Sequence, residues 1–305
     1  MTESGLHPGP VLIVGAVTWD VLDGDRRPGG AVTYAARTAT ALGVRAHILA
    51  AAGSDADLSA FAGHDFAVIP GEQTMTLEHR LDDGRRHQRV LARPIRPLSP
   101  ADIPREWPAP RTVVLGPLLP GDIEVSAFLD ACPAAETALL AQGLQRRVGE
   151  DGTIEDLRAP SAALLDAARP HVTVCLSAEE TAGWAPGDLH ALVARSRRVV
   201  RTLGAAGAEI RTRTVGGEDV RSVPALPAEV VDATGAGDVF AAALILAMRA
   251  GEDVAGRLAA ACAAACVERP GAAPLPARAE LEARAGIVPA TPGDIPGERA
   301  QGDRP

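Results

Sequence analysis

The 305-residue chain has no lysine and no asparagine, and only one tyrosine, four phenylalanines and three tryptophans. All 30 of its basic residues are therefore arginine. Without lysine there is no P-loop G-K-[ST], no Schiff-base amine and no protein-kinase strand lysine. Long apolar runs are missing too. The longest, 239–248 and 258–267, hold ten residues each, too few to cross a bilayer. No basic segment followed by an apolar h-region marks the N-terminus, so the chain reads as cytoplasmic, with no membrane partner. The four cysteines, Cys132, Cys175, Cys262 and Cys266, form no C-x-x-C pair and read as buried, reduced thiols. The formal net charge is −9 and the arginines fall in short pairs, which argues against a nucleic-acid partner.

What remains is ample core material. Hydrophobic residues make up 47% of the chain, charged residues 23%, and alanine alone fills 60 positions. Residues 10–17 (PVLIVGAV) form a continuous apolar run of the kind seen in buried parallel strands. Gly29-Gly30 precedes a helical pattern that stops at Gly43, residues 44–52 give the next strand, and 53–65 read as a loop with a short helix. In the segment 73–92, alternating runs flank Asp82-Asp83-Gly84, which predicts a β-hairpin standing off the main sheet. From 111 the rhythm predicts strands at 111–115, 137–142, 171–176 and 198–203, with helices near 122–131, 161–168, 178–183 and 188–195. An antiparallel stretch follows at 208–214 and 219–223. Two alanine-rich buried helices, about 238–250 and 253–267, precede a third near 277–285. The pattern predicts an α/β domain over 10–285, with flexible tails at 1–9 and 286–305.

The most informative stretch is residues 230–248, VVDATGAGDVFAAALILAM. Gly235, Ala236 and Gly237 at a helix start let successive backbone N–H groups converge on an anion, helped by the helix dipole. An acid in this loop, Asp238, suits a general base beside a phosphate. The plainer alternative is an ordinary helix start, with Thr234 as cap and Asp238 favouring the dipole.

D-A-T-G-A-G-D (232–238) followed by an apolar helix resembles the C-terminal signature of the ribokinase-like (PfkB) carbohydrate kinases. Further matches run in order from about 10 to 285. Gly29-Gly30 with a helix ending Leu42-Gly43 is similar to the family's N-terminal G-G-x-x-x-N signature. Thr202-x-Gly204-x-x-Gly207 resembles its nucleotide-site turn, Ser177-Ala178-Glu179-Glu180 its N-x-x-E, and Glu268 to Ala272 its late R-P-G-A turn.

The resemblance implies a ribokinase-like three-layer α/β/α fold with a mainly parallel sheet, its small lid being the hairpin at 73–92. It implies transfer of the ATP γ-phosphoryl group to a sugar or polyol hydroxyl. Asp238 is then the base, and Gly235, Ala236 and Gly237 the anion hole. Thr202, Gly204, Gly207 and Thr234 approach ATP. Glu180 holds Mg²⁺ through water, with a solvated helix-start acid as its alternative. Asp232 and the turn at 269–272 frame a monovalent-cation (K⁺) site. On the acceptor side the resemblance places Asp20, Gly29, Gly30 and Tyr34, with Gln142 and Arg146 reaching the same cleft. Asp20 as a turn residue and Arg146 as a surface cation are the alternatives.

Two family asparagines are replaced, by Tyr34 and by Ser177. Only eight residues separate Asp20 from Gly29, which reads as too short for extra lid strands. Gly-Gly-Ala-Val-Thr-Tyr (29–34), Gln-Gly-Leu-Gln-Arg (142–146) and the short lid look most like the inositol-kinase-like branch, which points to a cyclic polyol such as myo-inositol. The competing readings are a non-catalytic ATP- and sugar-binding sensor with a decayed kinase fold, and a nucleoside kinase of the same fold. A nicotinamide dehydrogenase is opposed by the lack of G-x-G-x-x-G after the first strand. The expected partner is a small sugar or polyol, with the chain a monomer or homodimer.

Overall fold

The computed structural model describes residues 9–82, 85–93 and 96–287. Of the expected flexible tails, 1–8 and 288–305 lie outside the described residues, as do Asp83 and Gly84. The first third of the chain gives β1 (Val11–Ala16), β2 (Thr18–Leu22), β3 (Asp25–Gly29), α1 (Ala31–Ala41), β4 (His47–Gly53), β5 (Asp65–Gly71), β6 (Met75–Asp82) and β7 (Arg85–Ala92). The middle gives β8 (Thr112–Gly116), α2 (Val125–Ala131), β9 (Glu136–Leu140), β10 (Arg146–Val148), β11 (Thr153–Asp156), α3 (Ala162–Ala167) and β12 (Val172–Ser177). The last third gives α4 (Pro186–Arg195), β13 (Arg198–Thr202), β14 (Ala208–Thr214), β15 (Gly217–Val223), α5 (Ala236–Ala247), α6 (Glu252–Val267) and α7 (Arg278–Arg284).

Nine strands form the main sheet in the order β15-β14-β13-β12-β9-β8-β1-β4-β5. The pairs from β13 to β5 are parallel, while β14 and β15 continue antiparallel. Alternate residues of β1 enter opposite cores. Val11 and Ile13 pack with α1, α5 and α6, through residues such as Ala35, Leu244 and Leu258. Leu12 and Val14 pack with α2, α3 and α4, through Phe128, Leu164 and Leu192. A sheet covered on both faces needs apolar residues at both parities, which is why these strands read as unbroken hydrophobic runs. The fold is the expected three-layer α/β/α sandwich of ribokinase-like form.

α5 and α6 pack against each other, and both are rich in buried alanine. Ala241, Ala242, Ala243 and Ala247 on one helix, and Ala255, Ala259, Ala261 and Ala265 on the other, are at most 1% exposed. Side chains this small let two helices lie close, so the anion loop that opens α5 starts from a densely packed base.

The lid is larger than the sequence suggests. A second, six-stranded sheet has the order β10-β11-β7-β6-β2-β3 and is antiparallel except for β2 beside β6. The hairpin read at 73–92 is its centre. The eight residues between Asp20 and Gly29 are enough for two further lid strands, because β2 and β3 turn within two residues, Asp23 (φ 52°) and Gly24 (φ 89°). Two positive φ values in a row match the twist of a tight hairpin. Two more corrections follow. β5 follows the stretch read as a loop with a short helix, in residues to which the sequence pattern assigned no element, with Pro70 tolerated because the strand is at the edge. Residues 178–183 form turns, not a helix, because the Glu180 side chain bonds back to the Ser177 backbone N–H.

Candidate active site

The anion loop lies at the start of α5. Gly235 is its N-cap in the left-handed region, φ 76°, and Asp238 is the third residue of the helix. A Cβ on Gly235 would come within 2.3 Å of the Tyr34 ring, so sterics as well as dihedral angle require glycine there. Asp232 fixes the other end of the loop. Its Oδ1 accepts from the Thr234 N–H at 2.9 Å, and its Oδ2 from the Gly271 N–H at 2.9 Å and from Arg27 Nη1 at 3.4 Å. This carboxylate thus accepts from three N–H donors, one of them cationic.

Asp238 is pushed up to about 7 by burial, then by the negative charges of Glu180 and Asp20, with Arg146 opposing. A carboxyl poised near neutrality is suited to taking a proton at working pH. Glu180 is buried and its carboxyl also lies above the usual range, burial being the main cause. It is no solvated helix-start acid. Its Oε2 accepts from the Ser177 N–H at 2.8 Å, Ser177 Oγ accepts in turn from the Glu180 N–H at 3.1 Å, and Gln142 donates to it. Ser177 thus holds Glu180 in place. The buried Glu180 raises the proton affinity of the half-buried Asp238, and this pair of carboxylates fits a divalent cation, with Glu180 as the holding group.

Arg146 is 4% exposed, so it is not a surface cation. Its Nη1 donates to the Leu118 carbonyl at 3.0 Å, and its Nη2 to Gln88 Oε1 at 2.7 Å. The Leu118 carbonyl is itself held by Asp122, whose Oδ2 accepts from the Leu118 and Leu119 N–H groups. Burial pushes the Asp122 carboxyl up to about 6. Arg146 draws down the proton affinities of Asp238, Glu180 and Asp122, so it serves the whole site as its buried positive charge.

Asp20 is not a turn residue. It lies within β2, paired to Arg27 of β3 and Leu77 of β6. Its Oδ1 accepts from Thr18 Oγ1 at 3.1 Å and lies 3.4 Å from His79 Nε2. A Cβ on Gly29 would come within 2.3 Å of Asp20 Oδ2, so Gly29 makes room for this carboxylate, while Gly30 caps α1. Tyr34 is 3% exposed and its hydroxyl has no hydrogen-bond partner among the described residues. Burial, reinforced by Asp20, Cys266, Asp238 and Asp232, raises its proton affinity, so the phenol stays a donor.

On the opposite flank, Thr202 ends β13 and Gly204 and Gly207 shape the turn into β14. Thr202 Oγ1 lies 3.9 Å from the place a Cβ on Gly237 would take, which brings the turn against the anion loop. All four cysteines are free and buried, as read from the sequence. Among the described residues no group of three or more His, Cys, Asp or Glu side chains could hold a metal ion by itself. No described helix is long and apolar enough to cross a membrane. The sequence reading missed Arg27, His79, Gln88 and Asp122. For His79 a signal existed: it follows Met75 and Leu77 on the inward parity of β6, a polar residue on an apolar face.

The chain matches the family model described as pfkB family carbohydrate kinase over residues 125–278. No protein of curated function matches it. Among solved structures it is similar to a pyrophosphate-dependent kinase in the ribokinase family complexed with a pyrophosphate analog and myo-inositol. That pair shares 21% identity over 90% of this chain and 99% of that one, with a TM-score of 0.69. Arabidopsis thaliana ribokinase complexed with ribose and ATP shares 19% identity over 92% and 99% of the two chains, TM-score 0.65. Burkholderia thailandensis nucleoside kinase in complex with inosine shares 21% over 90% and 97%, TM-score 0.67.

Proposed function

The chain belongs to the pfkB family of carbohydrate kinases and is a phosphotransferase, and from that premise we propose that it phosphorylates a hydroxyl of a small cyclic polyol of the myo-inositol kind. The observation that carries the reading is Asp238, held near neutrality at the N-terminus of α5 with the Gly235–Gly237 backbone beside it. Asp238 accepts the proton of the acceptor hydroxyl as its oxygen bonds to the terminal phosphorus of the donor. The bond from that phosphorus to the bridging oxygen breaks, and the leaving phosphate keeps the electron pair. The backbone N–H groups of the loop meet the charge on the transferred phosphoryl oxygens; loss of one such donor in other enzymes costs about 2.7–4 kcal/mol. Arg146 adds a fixed positive charge that needs no reorganisation. Mg²⁺, held by Glu180 through water, supplies further neutralisation of phosphate charge when bound.

On the acceptor side, Asp20 takes one or two hydroxyls, and the buried Tyr34 phenol, with no partner of its own, offers an O–H to the same ligand. The Tyr34 ring fills space against Gly235 and favours a compact acceptor over a nucleoside. For the donor we assign ATP, with Thr202, Gly204, Gly207 and Thr234 along its path. Pyrophosphate is the second reading, supported by the similarity to a pyrophosphate-dependent kinase. The test offers ATP and pyrophosphate, each with Mg²⁺, against myo-inositol, other cyclic polyols, ribose and nucleosides. Phosphorylation of a cyclic polyol with the highest kcat/KM is expected. A nucleoside turned over faster than every polyol would overturn the acceptor assignment, and transfer from pyrophosphate alone would overturn the donor.

A further inference from the structure

A continuous line of polar contacts crosses the lid and joins the two halves of the site. It starts at Thr18, whose hydroxyl donates to Asp20 Oδ1 at 3.1 Å. His79 Nε2 lies 3.4 Å from the same oxygen. The other ring nitrogen, Nδ1, lies 3.1 Å from Gln88 Nε2. Gln88 Oε1 accepts from Arg146 Nη2 at 2.7 Å, and Arg146 Nη1 ends the line on the Leu118 carbonyl at 3.0 Å. His79 and Gln88 face each other directly across β6 and β7. His79 is 6% exposed and Arg146 4%, so most of this line runs out of water.

The chemistry of these groups fixes the direction of each contact. A guanidinium only donates, so the Gln88 oxygen must face Arg146 and its amide NH₂ must face His79. An NH₂ only donates, so Nδ1 must carry a lone pair. The imidazole proton therefore sits on Nε2, the nitrogen turned toward Asp20. The contacts from Arg146 through Gln88 to His79 Nδ1 are then donor to acceptor in one sense, and the line closes on Asp20 through the 3.4 Å approach of His79 Nε2, an electrostatic contact and not a hydrogen bond. Such a line is stiff when complete and degenerate when one member is lost.

We propose that His79 and Gln88 are positioning residues that lock the acceptor carboxylate Asp20 to the phosphate-side cation Arg146, so that filling the acceptor site sets the guanidinium for the donor. The proposal rests on the reading of Asp20 as the acceptor-binding carboxylate. Neither residue touches the reacting atoms; each acts through its neighbour. Acceptor binding at Asp20 holds the carboxylate in the orientation that receives His79, and the line passes that constraint to Arg146. Donor and acceptor then bind with positive coupling, which favours transfer to the acceptor over transfer to water.

The experiment has two independent arms on the full-length enzyme. In the first, ¹⁵N NMR of histidine-labelled enzyme, with His79 assigned by its loss in His79→Gln, reads the tautomer at neutral pH. The expected result is a protonated Nε2 and a bare Nδ1 in the wild type. In Gln88→Glu the side chain can no longer donate, so Nδ1 should become protonated. A wild-type Nδ1–H tautomer overturns the proposal. In the second arm, the dissociation constants of ATP and of pyrophosphate are measured with and without saturating acceptor, taken from the panel above. The wild type should bind its donor about 5- to 50-fold more tightly with acceptor present. Gln88→Leu should keep each separate affinity within a few-fold and lose that coupling, while a purely structural role would lower the melting temperature and leave coupling intact. Coupling retained in a folded Gln88→Leu enzyme overturns the proposal. If no acceptor on the panel is phosphorylated by the wild type, the kinase assignment of the site fails, and the tautomer arm still decides the geometry of the line.

Discussion

Behind the anion loop, the packed helices α5 and α6 carry fully buried alanines, among them Ala242, Ala243, Ala255 and Ala259, whereas the lid strands carry Arg26, Arg27, Arg80 and Arg147, each at least two-fifths exposed and paired with an acid. The base is held by close packing, which has no slack. The lid is held in good part by exposed ion pairs, which contribute little each and exchange readily with water. A kinase needs both: a rigid seat for the transferred phosphoryl group and a cover that can leave. On the proposed function, Asp238 and the anion loop belong to the close-packed half, and Asp20 and Arg146 to the lid strands.

The sharpest way to break this contrast is at its centre. Asp238→Asn should lower kcat by about 10²–10⁴-fold while donor affinity stays near wild type. Retention of a tenth of the activity would falsify the base assignment. The same variant should melt higher at pH 8, by about 2–4 °C. The folded protein keeps the Asp238 proton up to about 7, above its ordinary range, so stability falls as pH rises through that window. Asparagine has no proton to lose there. Correspondingly, kcat/KM should rise with pH through about 7, as the base ionises, and this limb should move to lower pH in Glu180→Gln because the Glu180 charge helps raise it.

Next in size are the packed positions. Gly235→Ala forces a Cβ into the Tyr34 ring at an unfavourable dihedral, and should lose about 1–3 kcal/mol of stability in denaturant titration together with most activity. Ala242→Leu, about one helical turn beyond Asp238, should cost a similar about 1–3 kcal/mol by overpacking, read by denaturant titration. The smallest effect belongs to the lid surface. Arg147→Ala removes an exposed pair with Glu155 and should leave melting temperature and kcat within experimental error. A large loss there would show that the lid is as tightly built as the base.

The same contrast decides what the sequence could show. The buried strands β1, β8 and β12 are legible because burial on two faces demands mainly apolar runs. The anion loop is legible because all of it lies within seven consecutive residues. The lid is harder. Its three hairpins share one signal, an Asp-Gly pair, at Asp23-Gly24, Asp83-Gly84 and Asp151-Gly152. Only the middle pair has eight-residue alternating strands on both sides. β3 reads Asp-Arg-Arg-Pro-Gly and β10 only Arg-Arg-Val, neither a strand by local preference; they are strands because β2 and β11 pair with them. Among the candidate site residues, Asp20, Glu180, Arg146 and Asp238 are indicated by the family resemblance. His79 and Gln88 are not, because their role exists only in the register of β6 against β7 and in a contact with Arg146 from another hairpin.

The lid is drawn from three separate excursions of the chain, β2–β3 after β1, β6–β7 after β5, and β10–β11 after β9. A cover made this way has no single insertion point in the gene. No one deletion removes it, and no one duplication installs it. Because β11 pairs with β7 and β2 with β6, laboratory grafts of this lid onto a bare α/β base must move all three hairpins together.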